Sequence, residues 1–581
     1  MRLTTRLLLP LSALLLASGS ARAPDDLDNF VTEQITRRHV AGLSLAIVQD
    51  GRIIEARAYG VTDEPGGKPV STTTLFQAGS VSKSVAALGA LHLVEKGTLA
   101  LDTDVNSTLK TWKLPSSPFT AAKPVTLRGL LSHTAGLTVH GFPGYDKDSV
   151  VPTLVQVLDG ARPANTPAIR NDTVPGARWN YSGGGYTIMQ QMVVDVTGQR
   201  FPVYMQQTVL NPIGMTSSSY EQPLAPARAA LTAAGHYQDG KLVHGRSHVY
   251  PEMAAAGLWT TPSDLARFAI EVQQAYHGTS SKVISQSMAR QMLTNQKDND
   301  GLGVFLQDTR RAMRFNHNGR DEGFDAEMTA TAETGQGVVI MINANDDSRM
   351  VGRIRDFVAR KYHWPSAPAY VAPPAISATP AQLHALTGRY EWSNNNMLAF
   401  VTQAGRLYTS AGGHPDEEFI PVGPDRFNSV ERNIGFTVTH DATGAVTGLK
   451  LSQGGKERIV PRIGPLFADL APQHDLDAAV ASRVEAVVRA LGKGGDALAS
   501  VQGITATARK DFGGRPWPPA ADVQRLTFVS AQDISTRGVE RHDSKVARVL
   551  YYRMQTAGGE RLLLVHLTSD GLVTDVDLLD E

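Results

Sequence analysis

Apolar positions along this chain recur with two spacings, and the change from one to the other marks out its regions. Residues 26–40 repeat at helical spacing, and residues 42–56 form two strand-like alternations around Asp50-Gly51, a pair that signals a hairpin. A dense apolar run containing Val85, Leu88, Leu91 and Leu93 predicts a buried helix ending near Gly97. Residues 126–132 read as a short helix and 143–178 as loop, because Gly, Pro, Asn and Asp are scattered through the latter. Helices are expected over 186–196 and 202–210, and another opens at Thr261-Pro262-Ser263-Asp264 and runs to about Tyr276. Strands follow at 302–306, 312–315, 324–330 and 337–343, then a helix over 350–362. Strands at both ends with helices between them predict a mixed antiparallel sheet built from the two ends, beside a helical sub-domain.

Beyond this, residues 364–380 are rich in Pro and Ala and read as a semi-rigid linker. Residues 381–464 show short alternating strands with regular Gly turns, the pattern of a small barrel or sandwich. Residues 465–581 combine a helix over 475–491 with strands at 505–508, 523–529, 544–556, 561–568 and 572–579, an α+β unit of unknown role. At 581 residues the chain is too long for one core.

Composition narrows the function. Fifty-six basic residues balance fifty-six acidic ones, so nothing points to a nucleic-acid partner or an anionic membrane surface. With no cysteine, disulfides, thiolate metal sites and a cysteine nucleophile are excluded. Arg2 and Arg6 precede an apolar run over 7–17 and small residues up to Ala23, the layout of a secretory signal peptide spanning 1–23. Cleavage after Ala23 or after Ala21 fits. No other stretch is apolar enough to span a bilayer, so a periplasmic or secreted protein with no integral membrane segment after signal removal is expected.

The candidate chemistry begins with Ser80-Val81-Ser82-Lys83 at the head of the apolar helix. Positions i and i+3 share a helical face, so the Ser80 hydroxyl and the Lys83 amine can meet while the N-terminal N–H groups of the helix favour a developing oxyanion. An adjacent base and aimed donors are what a hydroxyl needs to become a nucleophile. Ser-x-x-Lys is a cheap pattern, and Ser107 with Lys110 repeats it in a polar stretch. Two further elements follow: Asn180-Tyr181-Ser182-Gly183 before a helix, and His317-Asn318-Gly319 at the end of a predicted strand. Taken alone, Tyr181 reads as packing or capping, His317 as a strand end entering a turn, and His133 as a structural hydrogen-bonder. Ser393-Asn394-Asn395 and Lys493-Gly494-Gly495 mimic such elements and read as loops.

In order and spacing these elements resemble the serine β-lactamase and penicillin-binding-protein-like hydrolase family, in its class C-related branch, which includes esterases and D-aminopeptidases. Residues 131–137, Leu-Ser-His-Thr-Ala-Gly-Leu, and the Gly257-Leu258 segment through Leu265 match two more of its signatures, and the resemblance covers 26–362. It implies an α+β, β-lactamase/transpeptidase-like catalytic domain over 24–363, with 381–464 similar to the lipocalin-like β-domain often appended. It also implies an acyl-enzyme on Ser80 and a basic network of Lys83 and Tyr181. The oxyanion hole would use the backbone N–H groups of Ser80 and Arg320, and His317, Gly319 and Gly183 would contribute to the substrate side. No metal and no cofactor are implied, and the substrate would be a small molecule or short peptide. Two positions depart from the family. Gly183 stands where asparagine is frequent, and His317 replaces the lysine that greets a substrate carboxylate. Both argue for an esterase or a peptidase of another specificity. The alternatives are a D-specific peptidase or weak β-lactamase, and a non-catalytic protein binding peptidoglycan fragments or a partner.

Overall fold

The computed structural model describes residues 24–579 apart from 64–66, 239, 310–311, 347–348, 366–369, 394–395, 412–413, 454, 474–476, 494, 512–516, 537 and 557–558. The expected signal peptide lies outside the described residues, as do 366–369 of the expected linker, Asn394-Asn395 and Gly494.

Helix α1 (Asp26–Arg38) leads into strands β1 (Gly42–Gln49) and β2 (Arg52–Gly60). Asp50 and Gly51 both take positive φ (50° and 66°), as the tight turn between β1 and β2 requires. Helices α2 (Val81–Glu95), α3 (Gly183–Thr197) and α4 (Pro262–His277) follow, then strands β3 (Phe305–Thr309), β4 (Ala312–Asp321), β5 (Phe324–Thr331), β6 (Gly337–Ile342) and helix α5 (Arg349–Lys361). The sheet has the order β2-β1-β6-β5-β4-β3, so the two ends of the stretch pair through β1 and β6.

Strand alternation sorts this sheet onto two cores. Leu43, Leu45 and Ile47 of β1 lie opposite Ile342, Ile340 and Val338, and all six pack on Leu27, Val31, Met350, Ile354 and Val358 of α1 and α5. Ala46, Val48, Val339 and Met341 point the other way, into the core shared with α2, α3 and α4. Each large aliphatic chain so buried stabilises by about 1.5–3 kcal/mol. Leu45→Ala would therefore cost about 2–5 kcal/mol. Thr261 caps α4 by accepting from the Asp264 N–H (3.2 Å), with Pro262 in the first turn where its missing N–H costs nothing.

Strands β7 (Gly388–Ser393), β8 (Asn396–Gln403), β9 (Arg406–Ala411), β10 (His414–Gly423), β11 (Arg426–Ser429), β12 (Ile434–His440), β13 (Val446–Gln453) and β14 (Lys456–Gly464) close into an antiparallel barrel. Its interior is filled by Tyr390, Phe400, Phe419, Phe427, Phe436, Leu449 and Val460. After it, helix α6 (Ala478–Lys493) packs on a sheet of β15 (Val523–Asp533), β16 (Arg548–Thr556), β17 (Gly559–Leu567) and β18 (Val573–Leu579). No helix among the described residues is long and apolar enough to cross a membrane.

Several expected elements change. The loop over 143–178 contains a helix, Leu154–Asp159, held by a Thr153/Gln156 capping box. The expected strand at 505–508 is the start of a helix, Ala506–Asp511, whose Arg509 N–H reaches back to Thr505 O (3.0 Å). Alanine there carries helix propensity that outweighs a four-residue alternation. The strand expected over 302–306 is β3, which begins only at Phe305.

Candidate functional site

The turn before α2 is fixed from both sides. Ala78 N–H reaches Leu258 O (2.9 Å), and the short strands Phe76–Gln77 and Trp259–Thr260 pair beside it. Gly79 takes φ +51°, and Ser80 follows as the cap residue of α2. Inside the helix Ser82 Oγ accepts from Leu258 N–H (3.0 Å) and Ser84 Oγ donates to Gly303 O (2.7 Å), which hold α2 in register. Lys83 Nζ lies 2.9 Å from Ser80 Oγ and donates to Ala255 O at 2.8 Å. The side chain is 2 % exposed. Burial lowers its pKa to about 7, against the opposing pull of Asp321. Near neutral pH a large share of Lys83 is therefore an uncharged amine, with a lone pair available to the Ser80 proton.

Tyr181 reaches the same place from the segment before α3. Ser182 caps that helix by accepting from Gly185 N–H (3.1 Å), and its own N–H donates to His133 Nδ1 (3.1 Å). His133 is thus a structural acceptor, with its ring 4.2 Å from that of Tyr181. Lys83 Nζ sits 5.0 Å from the Tyr181 ring centroid, and the phenol lies against Ser80. In the basic network that the family resemblance implies, a tyrosine works as a base near neutral pH only if its pKa is pulled down from about 10. The reverse holds: burial pushes Tyr181 above the usual tyrosine range, while the same burial drives the lysine down.

His317-Asn318-Gly319 is not at a strand end. Strand β4 runs on to Asp321, and the chain reverses at Glu322-Gly323, where Gly323 has φ +81°. Alternation puts Phe315, His317, Gly319 and Asp321 on the α2 side, and Asn318 and Arg320 on the other. Gly319 has no alternative, because a Cβ there would stand 1.9 Å from Ala78 O and 3.0 Å from Ser80 N. A Cβ on Gly79 would stand 2.3 Å from Arg320 N. The two backbones touch because both residues are glycine. His317 is 2 % exposed and donates from Nδ1 to Asn318 O (2.6 Å). Burial and then Lys83 lower its pKa to about 3, so the ring is neutral and supplies no cation. The Arg320 guanidinium pairs with Asp325 (2.8 Å) on the opposite face.

Gly183 opens α3 and faces Phe142, whose Cε2 would lie 2.9 Å from an added Cβ. The ring fills the position where a side-chain amide would otherwise project. Sequence reasoning missed Phe142, since it sits in an irregular segment without a motif. It also missed Trp179 and Phe305, whose rings flank Tyr181 at 6.5 and 6.2 Å, with Phe305 4.7 Å from His317. Asp300 accepts from Trp179 Nε1 (2.8 Å), and burial raises its pKa to about 7. Glu252 is fully buried, and burial raises it to about 8.

Other concavities lack this chemistry. A cavity of 830 Å³ opens between residues 376–387 and the barrel, lined by Leu386, Phe427, Val446 and Arg462, and none of Ser80, Lys83, Tyr181, His317 or Gly319 lines it. Among the described residues His566, Asp575 and Asp577 bring potential metal-ligand atoms within 4.8 Å of one another, but in the C-terminal sheet and with Arg541 3.6 Å from Asp575.

The β-lactamase family model matches residues 27–361. Penicillin-binding protein 4* of Bacillus subtilis (strain 168) is 24% identical over 458 residues, covering 74% of this chain and 96% of that one. Esterase EstB of Burkholderia gladioli is 28% identical over 222 residues, 37% of this chain and 55% of the esterase, so the alignment spans about half of that relative. The octameric penicillin-binding protein homologue from Pyrococcus abyssi shares the fold, with a TM-score of 0.52 at 20% identity over 75% of this chain and 99% of that one. With a family match over more than half its length on the fold just described, the chain belongs to the β-lactamase family, whose members are serine hydrolases.

Proposed function

We propose that the Ser80 site hydrolyses uncharged carboxylic esters, and related amides, through an acyl-enzyme. The observation that carries this is the 2.9 Å contact of Ser80 Oγ with a buried Lys83 whose pKa is about 7. Neutral Lys83 takes the Ser80 proton as Oγ attacks the acyl carbon. The oxyanion is met by the N–H groups of Ser80 and Arg320, a role supported by the close approach of Gly79 and Gly319. Tyr181, kept protonated by burial, gives its proton to the leaving group and recovers one from Lys83. Water then attacks the acyl carbon, its proton passes to the Lys83–Tyr181 pair, and Ser80 regains its own. A positioned base accounts for about 10²–10⁴ in rate, and each oxyanion donor for about 10²–10³.

Three features support an uncharged substrate. His317 is neutral, the Arg320 guanidinium is spent on Asp325 across the sheet, and Phe142 with Gly183 makes the neighbouring wall apolar. The similarity to an esterase agrees. The similarity to penicillin-binding protein 4* over nearly all of that protein favours a second reading, a D-specific peptidase or weak β-lactamase. A non-catalytic binding role leaves the Ser80–Lys83 contact without a purpose. We also propose that residues 1–23 direct export to the periplasm or beyond, and that the chain divides at 24–363, 364–380, 381–464 and 465–581. The sequential order of its strands supports reading the barrel as lipocalin-like. A substrate panel separates the two enzymatic readings. Neutral p-nitrophenyl esters should be turned over at least tenfold more efficiently than a penicillin or a D-alanyl-D-alanine peptide, and the opposite ranking would establish the second.

A further inference from the structure

Arg320 and Asp325 lie directly opposite each other in β4 and β5, on the face of the sheet that α1 and α5 cover. Asp325 has no solvent exposure and, among the described residues, accepts from Arg320 Nε (2.8 Å) and Nη2 (2.9 Å), Asp346 N–H (2.9 Å) and Asn345 Nδ2 (3.3 Å). A two-pronged guanidinium–carboxylate pair fixes direction as well as distance. Because Arg320 follows Gly319, this clamp sets how the β4 backbone presses on Gly79 and Ser80.

The clamp does not end there. Asp346, whose N–H holds Asp325, accepts from Arg38 Nε at 2.6 Å and from Met350 N–H at 2.7 Å, tying the end of α1 to the start of α5. The same Arg38 donates from Nη1 to Asp416 of the barrel strand β10 at 3.1 Å. Asp416 also takes Arg353 Nη2 (2.8 Å) and Arg349 Nη1 (3.1 Å), and Arg353 Nε reaches Glu431 at 2.7 Å. From the barrel to the strand beside Ser80 the path runs through Asp416, Arg38, Asp346, Asp325 and Arg320, with the Asp346 backbone N–H joining the two neighbouring carboxylates. Arg38 is 2 % exposed and Asp325 0 %, so screening by water is weak along the middle of the path, while Arg320 at its end is 46 % exposed. Buried ion pairs contribute little net stability against well-packed apolar groups, so their strict geometry is the better explanation for what they do here.

We propose that Asp325 is a positioning residue for the oxyanion strand, and that Asp416 couples the docked barrel to it through Arg38 and Asp346. The inference rests on the reading of Arg320 N–H given above. It makes the barrel part of what holds the catalytic backbone in place, with the connection running behind the sheet and not through the substrate cleft.

The test uses the full chain and the rate at which a fluorophosphonate labels Ser80, per folded molecule. Asp416→Asn should slow labelling by about 3- to 10-fold, and lower kcat for a neutral ester with little change in KM. Combined with Arg320→Gln, it should add less than twofold to the loss that Arg320→Gln causes alone, because the path is already cut. If Asp416→Asn does not fold, Arg349→Ala removes one partner of Asp416 at a half-exposed position and should slow labelling about twofold. A wild-type rate in the folded Asp416 or Arg349 variant, or effects that multiply with Arg320→Gln, would overturn the coupling while leaving the serine chemistry standing. A wild-type protein that does not label at Ser80 would remove the functional reading and the coupling together.

Discussion

Ser-x-x-Lys occurs twice in the chain, and the two copies meet different fates. Ser80 and Lys83 stand on one continuing helix, with the amine buried and 2.9 Å from the hydroxyl. Ser107 and Lys110 straddle the end of a four-residue helix, Val105–Thr108, after which Leu109 turns extended at ψ 134°. The i, i+3 face is lost there. Ser107 Oγ donates to Asp104 O at 2.6 Å, the Lys110 N–H to Asp195 at 2.6 Å, and both side chains face water. Spacing permits a serine–lysine pair, and a continued helix with an apolar burial site turns it into a nucleophile and a base.

The two copies should differ most at their lysines. Lys83→Met should lower ester turnover by about 10²–10⁴, and Lys110→Met should leave it unchanged. In the wild type, kcat/KM should rise with pH through about 7 as Lys83 loses its proton, and steady-state rates across pH 5–9 check this. Neither histidine of the site supplies that limb, since burial holds both His317 and His133 below the usual range. The same burial has a cost for folding. A lysine whose folded pKa is lowered binds its proton more weakly than the unfolded chain does. Its penalty is therefore full below about 7 and fades as pH rises toward 10.4. Lys83→Met should raise the melting temperature more at pH 6 than at pH 9.

A smaller effect sharpens the second motif. Gly183→Asn alone should not speed acylation by a penicillin, because its Cβ meets the Phe142 ring at 2.9 Å. Phe142→Ala with Gly183→Asn should raise it by about 5- to 10-fold, the worth of one new hydrogen bond. Stopped-flow acylation measures both, and an increase in the single variant would show that Phe142 does not guard the position. Smallest of all, Ser107→Ala should shift stability by less than about 0.5 kcal/mol by urea titration and leave turnover untouched.

Much of this was legible in residue order. The Asp50-Gly51 hairpin, the helix behind Thr261 and the two-ended sheet follow from local chemistry, and the structure contains all three. The meeting of Ser80 and Lys83 follows from helical spacing plus an apolar surround. What stayed hidden depends on contacts distant in sequence. His317-Asn318-Gly319 looked like a turn because polar residues and glycine usually mark one, yet Gly319 is there to admit the Ala78 carbonyl. The inversion of the Lys83 and Tyr181 pKa values depends on how deeply each is buried, which no spacing encodes. Phe142 carries no motif, and its part is set by standing against Gly183. The path from Asp416 to Arg320 joins residues from four separated segments, and only the folded chain brings them together.

All of the proposed chemistry requires Ser80 to be an activated nucleophile. Intact mass after brief exposure to a fluorophosphonate, for wild type and Ser80→Ala side by side, tests it most directly. One adduct is expected on the wild type and none on the variant. An adduct on both, or on neither in folded protein, would contradict it.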